Sequence, residues 1–207
     1  IHYAEEAVDP PTFRMPRQPA ALPRQLLRRP QIVVVEECHQ LPARLSQAVV
    51  PGRPRLETAL DMSPGQKHAV EWHDIAEPDP KQDSVRTQAQ ERGAALFRRG
   101  EGAFFHDRAL YFVTTLGGRK DRGQIFKLHV GRAGKPDELE LLAESRDAAV
   151  LDCPDNVTVA PWGHVYMAED GTDGNFVRAL TPDGYVYDVA FNAAGPGELS
   201  GICFSPD

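Results

Sequence analysis

From Gly102 onward the chain is a succession of short runs rich in β-branched and aromatic residues, each closed by turn chemistry. The runs cover 109–115, 124–130, 139–143, 157–160, 164–168, 176–180 and 185–189. All are strand length. Gly117-Gly118, Pro161-Trp162-Gly163 and Pro182-Asp183-Gly184 lie between them. These residues supply positive φ or a preset φ at chain reversals, so the runs are expected to pair as antiparallel hairpins.

The runs also repeat. Phe105, Val159 and Phe204 align as the first strand of successive units, at intervals of about 54 and 45 residues, which brackets the length of a four-stranded propeller blade. A β-sandwich has strands of the same length, so the period is what discriminates. The expected fold is all-β, a partial β-propeller of four-stranded antiparallel blades over residues 71–207. Residues 11–54 differ: Pro16, Pro19, Pro23, Pro30, Pro42, Pro51 and Pro54 alternate with Arg14, Arg17, Arg24, Arg28 and Arg29, without sustained periodicity. Residues 1–70 are therefore expected to be irregular, in part a loop-like or disordered Pro/Arg-rich arm with one strand-like patch at Ile32–Val35.

Charge and cysteine content narrow the partners. A net charge of -7 disfavours binding to nucleic acid or an anionic membrane and favours a cation. The three cysteines, Cys38, Cys153 and Cys203, have no C-x-x-C spacing and read as small buried side chains. No apolar run reaches the roughly 18 residues of a membrane span. Ile1-His2-Tyr3 and Phe204-Ser205-Pro206-Asp207 both look like internal positions of a longer protein.

The densest acidic stretch is Glu169-Asp170-Gly171-Thr172-Asp173-Gly174-Asn175, with Asp155-Asn156 before the preceding strand. Carboxylate and amide oxygens are ligands for hard cations, and the glycines allow a backbone to wrap an ion, although the same residues also favour plain hairpin tips. In Arg98-Arg99-Gly100-Glu101-Gly102 a guanidinium could clamp a phosphate or carboxylate beside a glutamate, or the segment could be a solvated turn. Glu5-Glu6 and Glu198 read singly as surface charge. His106, His129 and His164 have no partner at metal-ligand spacing, Ser200 lies in no G-x-S-x-G elbow, and Gly131–Pro136 lacks the Walker spacing.

Several of these segments together resemble the bacterial PhoX family of alkaline phosphatases. They are Cys153–Gly163, Glu169-Asp170-Gly171, Leu180–Gly184, Cys203–Asp207, Glu71-Trp72, Asp74-Ile75, Phe97–Gly102 and Gly123–Phe126, with weaker echoes at Glu6–Pro10 and Gly52–Glu57. The resemblance implies a six-bladed propeller exported by the twin-arginine route to the periplasm or beyond, of which this chain matches the C-terminal half. It implies calcium and iron at one mouth and hydrolysis of small phosphate esters by metal-ion catalysis. On the analogy Arg99 is a substrate-phosphate arginine, Glu6 and Glu101 are metal ligands, and Asp155, Glu169 and Asp170 are acidic residues of the same mouth. The family's iron-ligating cysteine has no counterpart, since Cys38 sits in another context, so the chain alone is expected to be inactive. A calcium-dependent lactonase-like propeller and a non-catalytic propeller module are the alternatives.

Overall fold

In the computed structural model, residues 56–82 and 84–205 are described, together with the backbone of the short strand β1 (Ala48–Val49). Glu6, Cys38 and the Ile32–Val35 patch lie outside the described residues. Ten strands and two short helices, α1 (Thr58–Asp61) and α2 (Val85–Glu91), make up the regular structure of those residues, so the all-β class holds. No helix among them is long and apolar enough to cross a membrane.

The strands form two antiparallel sheets. The first contains β2 (Lys67–Trp72), β3 (Gly100–His106), β4 (Ala109–Thr114), β5 (Gln124–His129) and β6 (Asp137–Glu144), with β1 at its edge, in the order β1-β2-β6-β5-β4-β3. The second contains β7 (Pro154–Val159), β8 (Val165–Glu169), β9 (Phe176–Leu180) and β10 (Val186–Phe191), in the order β10-β9-β8-β7. Each sheet thus holds a four-stranded up-and-down meander, β3 to β6 and β7 to β10. Each of the seven strand-like runs from residue 109 onward overlaps one of these strands. Gly117, Gly118, Gly163 and Gly184 all take positive φ at the reversals.

Alternation along β4 and β5 explains why the first sheet is buried on both faces. Phe112, Phe126 and Leu128 point into one core with Leu56, Met62, Leu139 and Leu141. Their neighbours Tyr111, Val113 and Ile125 point into a second core with Val157, Val159, Val165, Met167 and Leu180 of the other sheet. Period-two side-chain direction sends successive residues to opposite faces, so a nearly continuous apolar run suits a strand that is covered twice. In the first core Phe97 meets Phe112 and Phe126 edge-on, with centroids 5.4 and 5.3 Å away, while Phe112 and Phe126 stack at 5.0 Å.

One glycine fixes how the sheets meet. A Cβ on Gly102 would lie 2.7 Å from Asn156 Cα and 2.8 Å from both the Asp155 carbonyl oxygen and the Val157 nitrogen. Only a residue without a side chain allows β3 and β7 to come this close. Phe105 and Val159 accordingly fall on the first strand of each meander, as the repeat requires. Phe204 belongs to no strand, but its ring packs edge-on against Trp162 at 5.4 Å and Tyr166 at 4.9 Å.

Candidate functional site

The meander order brings particular residues to one end of the sheets. β3 and β7 begin there, at Gly100 and Pro154, and β8 ends there at Glu169. Contact between Gly102 and Asp155-Asn156 sets the start of β3 against the start of β7.

Arg99 stands at the head of β3 with a positive φ of 48°. Its carbonyl accepts from the Thr115 N–H at 2.8 Å, and its guanidinium Nη2 lies 3.4 Å from Glu101 Oε1. The adjacent Arg98 turns elsewhere, to Glu57 at 2.6 Å and Asp121 at 3.5 Å. The two arginines therefore have different roles: Arg98 ties β3 to the α1 segment, and the half-exposed Arg99 faces the acidic end. The sequence alone could not separate them.

Asp155 is half-buried, and its carboxyl is held above the ordinary aspartate range. Burial is the main cause, the charges of Glu198 and Asp170 add to it, and Arg99 acts in the opposite direction. Asp155, Asp170, Glu198 and Arg99 thus share one electrostatic neighbourhood. Asn175, fully buried, builds part of it: its side-chain oxygen accepts from the Gly171 N–H at 2.6 Å, and its amide nitrogen donates to the Pro196 and Gly197 carbonyls at 3.2 and 2.9 Å. With the Leu199 N–H donating to the Glu169 carbonyl, these bonds hold the segment bearing Glu198 against the 170–175 loop.

Glu169 is placed differently from Asp170. It is fully buried, and its carboxylate accepts from Arg178 Nε at 2.7 Å, the Asp152 N–H at 2.8 Å and the Phe176 N–H at 3.1 Å. Burial pushes its carboxyl up while these donors hold it down. Arg178 also pairs with Asp188 directly across β9 and β10, and the Phe176 ring lies 4.3 Å from its guanidinium carbon. The geometry makes Glu169 the anchor of the loop, with Asp170 as the neighbour that faces the acidic end. Next to it, Asp152 pairs with Arg122 at 2.7 Å, and Cys153 adopts a positive φ of 49°. The Cys153 thiol is pushed up to about 12, chiefly by burial, so it stays protonated at neutral pH.

A family model described as alkaline phosphatase PhoX matches residues 42–207. The chain belongs to the PhoX family. No curated protein and no solved structure matches it. PhoX proteins are metal-dependent phosphatases, which makes the fit of these residues to a cation the next question. The donor chemistry fits: Glu101, Asp155, Asp170 and Glu198 offer only hard oxygens, and the charges of Glu198 and Asp170, which add to the burial that raises Asp155, are ones a cation would offset. Among the described residues, however, no three His, Cys, Asp or Glu side chains stand together as a metal-holding group. Among its described residues this PhoX chain therefore shows a cation-compatible acidic end and no assembled coordination shell.

Proposed function

We propose that this end of the sheets is part of a site that hydrolyses phosphate monoesters, with Arg99 as the phosphate-binding group. PhoX membership over residues 42–207 carries the reading, and the placement of Arg99 beside Glu101 and Asp155 supports it. In it, Glu101, Asp155 and Asp170 hold hard cations, joined by Glu6 on family grounds, and Glu169 serves as the anchor beneath Asp170. Calcium matches this all-oxygen donor set, and iron belongs to the reading on family grounds. A cation bound there would polarise the phosphoryl oxygens and offset the charge that develops on them.

The chain's own contribution is orientation. The Arg99 guanidinium presents parallel N–H donors that match two phosphate oxygens, and its half-exposed position leaves it within reach of a ligand. The surrounding carboxylates repel an unassisted phosphate, so productive binding requires the cation as well as the arginine. Closure of the meanders into a complete propeller belongs to the same proposal, and the face-to-face contact of β3 with β7 supports it.

The test is hydrolysis of an aryl phosphate by the purified gene product containing this chain, with calcium added and then removed by chelator. Turnover that depends on calcium is expected. Lactone hydrolysis without phosphatase activity would replace this reading with a lactonase-like one. Absence of both activities, with no effect of calcium on melting, would leave a non-catalytic module.

A further inference from the structure

The cation-compatible end is not the only place where polar groups converge. Gly100, Thr114, Gln124 and Glu144 form one row across β3, β4, β5 and β6, each paired directly with the next. Residues opposite one another in a sheet project to the same face, so the last three place their side chains side by side at the end of the first core. Thr114 and Gln124 are fully buried and Glu144 is 8% exposed. Thr114 Oγ1, Gln124 Oε1 and Glu144 Oε2 are buried and have no hydrogen-bond partner among the described residues.

The β4–β5 turn covers this row with two glycines. A Cβ on Gly117 would lie 2.9 Å from Gln124 Oε1 and 3.6 Å from Thr114 Oγ1, and one on Gly118 would lie 3.4 Å from Glu144 Oε2. Both glycines have positive φ, 101° and 73°, and the lack of a Cβ at each keeps a side chain away from these oxygens. Gln124 Nε2 donates to the Thr58 carbonyl at 2.8 Å, which fixes the amide with its oxygen towards the row. The other oxygen of Glu144 is occupied by Arg119 at 2.6 Å and Arg146 at 3.4 Å.

We propose that Thr114, Gln124 and Glu144 form an enclosed binding site for one water molecule beneath Gly117-Gly118. Gln124 Oε1 and Glu144 Oε2 can only accept, and the Thr114 hydroxyl can donate. The guest must therefore supply two donors and one acceptor, which is what a water offers, and about three bonds is the usual number for a buried one. A cation is disfavoured, since Arg119 and Arg146 already balance the Glu144 charge and a further positive charge would be buried unpaired. The site lies directly behind the turn that presents Arg99. Gly100 pairs with Thr114, the Thr115 N–H holds the Arg99 carbonyl, and Arg98 Cβ lies 3.7 Å from the position of a Gly117 Cβ. The bound water would brace that turn whatever reaction occurs in front of it.

Crystals of the full chain grown with rubidium chloride test the site. Electron density is expected at about 2.7–3.2 Å from the three oxygens, without a rubidium anomalous signal. Thr114→Val should lose that density and lower the melting temperature by about 2–4 °C, whereas Thr114→Ser should retain both. A rubidium peak would overturn the proposal. So would direct hydrogen bonding among the three side chains, or unchanged melting of Thr114→Val.

Discussion

Arg178→Met is expected to destabilise the fold by about 3–5 kcal/mol, because it strands the Glu169 carboxylate in a site closed to water. The Glu169 side chain is 0% exposed and that of Arg178 4%, so solvent cannot replace the missing partner. An exposed ion pair would be worth less than about 1 kcal/mol, and the Arg178–Asp188 pair, with Asp188 57% exposed, is closer to that limit. The effect should therefore track Glu169: Asp188→Asn should cost much less than Arg178→Met. Changing both Glu169 and Arg178 to methionine should restore only part of the loss, since the Asp152 and Phe176 N–H groups would remain without their acceptor. Urea denaturation measures all four proteins. A loss under about 1 kcal/mol for Arg178→Met would show that Glu169 is hydrated and not the anchor described above.

The second large effect concerns Arg99. In the gene product containing this chain, Arg99→Ala is expected to lower kcat/KM for an aryl phosphate by about 100- to 1,000-fold, the usual loss when a preorganised donor to a charged transition state is removed. Arg99→Lys should recover only a fraction, because an ammonium lacks the planar fork. Neither change should disturb folding, as the Arg99 side chain is 46% exposed and its backbone bond to Thr115 is retained. Steady-state kinetics with melting as a control would check this. A loss under about threefold would remove Arg99 from substrate binding.

The strands were legible because their signal is local. Runs such as Ala109–Thr114 and Val186–Phe191 carry β-branched and aromatic residues, and the glycines between them mark the reversals. β2 was harder to see: Lys67–Trp72 alternates between exposed and buried positions, but one of its buried residues is His68, which no hydrophobicity pattern would select. α2 was also missed, because a helix whose only buried residue is Ala89 has almost no apolar stripe to read.

The candidate site divides along the same line between local and long-range information. Arg99, Glu101, Asp155 and Asp170 could be named from acidic turns and a guanidinium at a strand head. The approach of the β3 head, with Arg99, to Asp155 depends on Gly102, whose significance lies in a contact more than fifty positions away along the chain. The inward turn of Glu169 depends on Arg178, which pairs directly with Met167, two strand positions before Glu169. Glu198 looked like isolated surface charge until Asn175 and Leu199 bound its segment to the loop. Single-sequence patterns show which residues could carry a charge into a site, whereas pairing register decides which of them arrive.

Calorimetric titration of calcium into the gene product containing this chain, and into its Asp155→Asn variant, tests the central claim most directly. A hard-cation site built on Asp155 predicts saturable binding that weakens by at least about tenfold in the variant. The variant should melt no lower than the parent in the absence of calcium, since it loses a carboxylate whose charged form is disfavoured by burial and by the charges of Glu198 and Asp170. No binding to the parent, or equal affinity in the two proteins, would contradict the claim.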